Sequence, residues 1–322
     1  MLGENDMTAK QQYKNIGKII FIFTLVVIAF QVLFIILQEY LLNISLDYND
    51  ILSWVVTFAP IYLIGFPLSL LMFKKLPLDK AESQKIKISQ FLVYFIECVA
   101  VMYIGNIIGT FLSFLLSNGQ AQNPLIELTS NNSIVQVLVL TIIAPIIEEI
   151  IFRKKIIDHT IMYGEKVSIF FSAITFALFH MNLFQFFYAF GLGLIFGYIY
   201  AKTRNIKYSM IIHVIINFVG GVLSPFLVSR ISNLTEESIE LMSEAEIMKL
   251  FVPSLMLIVY LIILLALVII GIVFLIMNRK KVLFNKTELD IPNGEVVKTV
   301  YLNVYYVLFV VICLATIISL LL

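Results

Sequence analysis

The chain has 322 residues, of which 61% are hydrophobic and only 13% charged. A mean hydropathy of +0.99 excludes an ordinary water-soluble domain and indicates a polytopic membrane protein. The formal net charge of +1 supplies no basic field for nucleic acid.

The chain starts with a polar stretch of mixed charge, Met1 to Lys18. The apolar run from Ile19 to Leu37 exceeds a signal-peptide core and lacks a small-residue cleavage pattern, so it is expected to stay as a first span. Taking about 20 apolar residues per crossing, nine segments qualify: 19–38, 51–73, 88–116, 134–152, 167–182, 184–201, 208–228, 252–277 and 301–322. The expected fold is an all-α transmembrane bundle of eight to nine spans. The fifth and sixth segments are parted only around Asn182 and form either a hairpin or a re-entrant pair. Three blocks follow: N-terminal spans in 1–133, a central core in 134–228, and C-terminal spans in 229–322. The last block carries an acidic outer loop at about 229–251 and an inner segment at 281–300, with Asn293-Gly294 as a turn between short β-prone runs. Ser243-x-x-Glu246 reads as a capping box leading into the eighth span, near Pro253. Cys98 and Cys313 both lie in apolar spans, which argues against a disulfide framework or a thiolate zinc site.

Lysine and arginine orient the chain. With the N-terminus inside, the inner segments 10–18, 74–87, 153–166, 202–207 and 279–298 hold twenty of the 22 basic residues. Only Arg230 and Lys249 fall outside, a strong positive-inside signal.

Three apolar segments carry polar groups that hydrocarbon disfavours. The fourth ends in Glu148-Glu149 and Arg153, the fifth in Phe176 and His180, and the seventh holds His213 and Asn217. Helical neighbours differ by about 100°, so the two acids point apart. Glu149 and Arg153 share a face at i,i+4 and suit a supporting salt bridge, which leaves Glu148 free for chemistry. Pro145 lacks a backbone donor and can kink the helix toward a cavity. The alternative places all three charged groups in the headgroup region. Phe176 sits one turn before His180 and is expected to pack on it. His213 and Asn217 share a face, and their N–H groups suit either interhelical bonding or a developing oxyanion. His159 falls in an inner loop and reads as a surface residue.

The depths conflict. Glu148 and His213 each lie about five residues, roughly 8 Å, from the expected inner boundary, whereas His180 lies about 20 Å deep. Either the fifth span tilts strongly, or its start is recessed behind an amphipathic stretch around 156–165. Elsewhere, Gly105-x-x-x-Gly109 and Gly193-x-x-x-Gly197 read as helix-contact motifs. Glu97 is an intramembrane acid that bonds locally or marks a second polar site.

Taken in order, Glu-Glu-x-x-x-Arg, Phe-x-x-x-His and His-x-x-x-Asn resemble the signature of the CPBP family, also called the Abi or CAAX-protease-and-bacteriocin-processing family. It includes the type II CAAX prenyl endopeptidases. The likeness covers about 134–222. It implies an intramembrane endopeptidase with a cavity open to the cytosolic side. By carry-over, Glu148 and His180 activate water, while His213 and Asn217 hold the oxyanion. It also implies a peptide or membrane-protein substrate in a lipid bilayer, taken as a bacterial cytoplasmic membrane. A non-proteolytic scaffold or bacteriocin-immunity protein is the alternative. A transporter is disfavoured because no internal repeat is present. No cofactor is expected, because the chain lacks His-Glu-x-x-His. The alternative is Zn2+ on Glu148, His180 and His213, with water as fourth ligand.

Overall fold

The structure, a computed structural model, describes residues 7–37, 58–129, 137–231 and 243–322. Among these residues it is all-helical, with no strand. The main helices are α1 (Ala9–Ile36), α2 (Pro60–Phe73), α3 (Ile88–Leu116), α4 (residues 139–160), α5 (Glu165–Phe179), α6 (Leu183–Thr203), α7 (Ile206–Ser229), α8 (Glu244–Asn278) and α9 (Val304–Ser319). By length and composition five are fit to cross a membrane alone: α1, α3, α6, α7 and the apolar part of α8. A sixth results if α9 is joined to the turn at 293–301, from which it bends by 75°. Among the described residues α2, α4 and α5 are not fit to cross alone, so the count of eight to nine spans is not confirmed; residues 51–57 and 134–136 of the expected second and fourth spans lie outside the described residues.

Side chains set many of the helix ends. Thr8 Oγ1 accepts from Gln11 N, and the Asn182, Asn205 and Asn303 amides accept from the first turns of α6, α7 and α9. The corner between α4 and α5 turns on Gly164 at φ +123°, where a Cβ would be strained.

Three prolines widen their helices. Turns with i→i+5 bonding run over Pro60–Gly65, Val139–Ile143 and Val219–Leu223. Each ends two residues before a proline: Pro67, Pro145 or Pro225. The ring clashes with the carbonyl four residues back and offers it no donor, and a wider turn relieves both faults.

The main core packs Tyr13, Ile16 and Phe23 of α1 against Phe152 of α4, Phe171 and Phe176 of α5, and Phe309 of α9. Small residues let backbones meet. A Cβ on Gly105 would lie 2.5 Å from Tyr188 Cα, and one on Gly193 would lie 3.0 Å from Ala173 Cα. Both glycine motifs are thus helix contacts, as their spacing suggested.

The five basic segments meet at one end. Gln12 Nε2 donates to Pro77 O at 3.0 Å and His159 O at 2.9 Å. Asp79 N donates to Asp158 O, and Gln84 N to Thr203 O, both at 2.7 Å. Lys202 pairs with Glu165 at 2.6 Å, and the other Glu165 oxygen accepts from Asn285 N at 2.9 Å.

Several expectations need correction. Helix α4 runs on past Arg153 to Thr160, so residue 152 is no boundary. Helix α1 begins at Ala9, ten residues before the expected start. Helix α8 starts at Glu244, inside the stretch expected as outer loop, and Pro253 lies within it. Residues 232–242 of that loop, with Glu236, Glu237 and Glu240, lie outside the described residues. Asn293-Gly294 opens a helical turn rather than a strand reversal. The fifth and sixth segments form a tight helical pair, α5 and α6. His159 is buried, not superficial: its ring stacks on Phe73 at 5.3 Å and its Nδ1 lies 2.6 Å from Pro77 O. Glu97 is a buried acid whose carboxylate accepts from Asn278 Nδ2 at 2.9 Å.

Candidate active site

Helices α4, α5 and α7 bring the motif residues to one cavity of about 880 Å³. Glu148, His180, His213 and Asn217 all line it. The depth conflict disappears with the longer α4. Glu148 lies twelve residues before Thr160, and His180 caps the 15-residue α5, so both sit about 18–22 Å from the shared corner.

Glu149 and Arg153 do not line the cavity; both are fully buried behind it. Arg153 Nε approaches Glu149 Oε1 at 3.3 Å. Its guanidinium lies over the Phe176 ring at 4.1 Å and near Phe196 at 5.3 Å, which gives the cation two aromatic faces.

Hydrogen bonding fixes which imidazole nitrogen is free. His180 Nδ1 is 2.8 Å from Phe176 O, which can only accept, so Nδ1 carries the proton and Nε2 is left with its lone pair. The Phe176 ring meets the same imidazole edge-on at 4.7 Å. His213 Nδ1 is 3.1 Å from Glu149 Oε1, a carboxylate held by Arg153, so it too donates from Nδ1. Its Nε2 stands 3.6 Å from Glu148 Oε2. That nitrogen is an acceptor in the neutral ring and a donor only in the imidazolium. Asn217 Nδ2 donates one hydrogen to Leu140 O at 3.0 Å and keeps the other.

Two points lay beyond reading by sequence. Spacing gave Glu149 one partner, Arg153; the structure adds His213, 64 residues away. The cavity also takes neutral polar groups from outside the motifs, among them Tyr62, Tyr103, Asn106 and Gln185. A lone amide within an apolar span, Asn106, was the one available signal.

Among the described residues, no group of three His, Cys, Asp or Glu side chains is placed closely enough to hold an ion.

Residues 130–219 match the family described as Type II CAAX prenyl endopeptidase Rce1-like. The matched stretch holds all three motifs, which agrees with the CPBP resemblance. Neither a curated protein nor a solved structure matches the chain.

Proposed function

We propose that this chain is an intramembrane endopeptidase of the CAAX type, in which Glu148 and His180 activate water for attack on a peptide bond. The observation that carries the reading is the convergence of Glu148, His180, His213 and Asn217, from three helices, on a single cavity. The family match over 130–219 supports it.

Each residue has a task that its bonding allows. A water between Glu148 and His180 Nε2 gives one hydrogen bond to each, which aims an oxygen lone pair at the substrate carbonyl. Glu148 takes a proton as the C–O bond forms. The oxyanion then receives the spare Asn217 N–H and, from the imidazolium, His213 Nε2–H. His213 stands between two carboxylates, Glu149 at 3.1 Å and Glu148 at 3.6 Å. Glu148 returns the proton to the leaving nitrogen, the C–N bond breaks, and an acid and an amine leave. No step needs a metal ion.

The test is cleavage of a peptide library by purified full-length protein, with products identified by mass spectrometry. Glu148→Gln is expected to remain folded and lose turnover, because an amide cannot accept the proton. Asn217→Ala should slow turnover about 10²–10³-fold, with a smaller effect on binding. Wild-type turnover in Glu148→Gln would refute the role of Glu148. Near-stoichiometric zinc in the active protein, with activity lost on chelation and restored by zinc, would refute the metal-free step. Absence of cleavage by the wild type would favour a scaffold.

A further inference from the structure

A second cavity, of about 550 Å³, lies between α3, α5, α6 and α8 and shares no lining residue with the first. Its volume is within the range of about 300–1,000 Å³ that bound small molecules occupy. The wall changes character along its length. Val93, Ile169, Leu194, Ile195 and Leu275 supply hydrocarbon from the four helices. Ser89 and Gln90, in the first turn of α3, and Arg279 and Lys281, just past the end of α8, supply the polar end.

The basic groups are held there. Phe284 meets the Tyr198 ring of α6 edge-on at 6.2 Å, and Asn285 N donates to Glu165 Oε2 at 2.9 Å. The chain after α8 therefore turns across this end of the groove. Lys281 Nζ donates to Asn278 Oδ1 at 3.1 Å, and Asn278 Nδ2 donates to Glu97 Oε1 at 2.9 Å. Arg279 is exposed and has no ion pair among the described residues. Glu97 is the acid of this wall, and two cations against it leave the end of the groove positive.

A free anion would satisfy Arg279 and Lys281 but leave the hydrocarbon wall bare. A hydrocarbon chain alone would leave the cations without a counter-charge. A ligand with an anionic head and an apolar tail answers both. We propose that this groove binds an anionic phospholipid of the leaflet at the basic end, its phosphate between Arg279 and Lys281 and an acyl chain along Val93, Leu194 and Leu275. Basic pockets between membrane helices take such head groups. The site ties α8, outside the family-matched residues 130–219, to α5 and α6 within them. It is independent of the proteolytic reading, and either can fail without the other.

The experiment places purified full-length protein in neutral detergent micelles with equal amounts of phosphatidylcholine and phosphatidylglycerol, and counts retained lipids by native mass spectrometry. The wild type is expected to retain one phosphatidylglycerol, at least about tenfold in preference to phosphatidylcholine. Arg279→Gln combined with Lys281→Gln should remove the preference, whereas Arg279→Lys, which keeps the charge, should retain most of it. Lys74→Gln combined with Lys75→Gln, an equal loss of charge at residues that do not line the groove, should leave it intact. Leu194→Trp, which fills the apolar part, should lower retention with both cations still in place. Equal retention of the two lipids by the wild type would overturn the proposal with no variant needed. So would a preference that survives the Arg279 and Lys281 changes, falls equally with the Lys74 and Lys75 changes, or is unmoved by Leu194→Trp. Displacement of the lipid by millimolar inorganic phosphate would make the site one for a free anion and would overturn it too.

Discussion

Glu149 Oε1 is shared between Arg153 Nε at 3.3 Å and His213 Nδ1 at 3.1 Å, so one buried oxygen couples a structural cation to a residue of the site. Removing either charge strands the other. Arg153→Ala is expected to lower stability by about 3–5 kcal/mol, read as thermal or denaturant unfolding in detergent. Combining Arg153→Met with Glu149→Gln should recover part of that loss, because no lone charge stays buried. Additive losses would show that the two residues act independently. His159 gives a second residue-scale test. Burial pushes its imidazole below the usual value near 6.5, with Pro77 O partly opposing the shift. The folded state therefore resists protonation. Above about pH 6.5 both states are neutral; below it the unfolded state takes up the proton first, and stability falls by at most about 1.4 kcal/mol per pH unit until the folded pKa is reached. His159→Gln should flatten this slope, and an unchanged slope between pH 7.5 and 5.5 would assign it elsewhere. The sequence made His159 look superficial because it follows Lys154 and Lys155. Phe73 and Pro77, which bury it, arrive from more than 80 residues away.

Helix identity was legible from hydropathy, but helix ends were not. A hydropathy reading takes a charge as the water boundary. In α4 that rule fails because Arg153 is buried inside the protein, ion-paired with Glu149 and set against two aromatic rings. The same error set Glu148 too shallow and created the apparent depth conflict with His180. Small-residue spacing, by contrast, predicted contacts well, since close backbone approach leaves no substitute for glycine. A Cβ on Gly105 would meet Tyr188 Cα and N at 2.5 Å, atoms that cannot rotate away. Gly105→Ala is therefore expected to cost about 1–3 kcal/mol by forcing α3 from α6. It should also impair turnover, because Tyr188 lines the cavity. Gly221, in the widened turn of α7, has nothing within 4 Å of its would-be Cβ. Gly221→Ala should leave stability unchanged or raise it slightly. Equal damage from both substitutions would show that backbone propensity, not helix contact, governs these positions.

Across the whole molecule, the charge pattern and the packing agree on one end. The five segments that hold twenty basic residues are bonded to one another, through Gln12, Asp79, Asp158, Glu165 and Asn285. Arg204 strengthens that end by reaching both Asp79 and Asp158. A basic end of this kind is retained on the cytosolic side. On that rule the N-terminus is expected inside. Helix α9 fixes the other terminus. A Cβ on Gly17, near the start of α1, would contact Asn303 and Tyr306, at the start of α9. The two helices thus leave the basic end side by side and in the same direction. Leu322 belongs at the opposite end, although α9 is only 16 residues long, about 24 Å against a hydrocarbon core of about 30 Å. Reporter fusions within 285–298 should read as cytosolic, and a fusion after Leu322 should read as external. A cytosolic signal after Leu322 would make α9 re-entrant while leaving the basic end inside. An external signal from 285–298 would invert the whole arrangement and would turn the active-site helices, with the basic end they share, to the other face of the membrane.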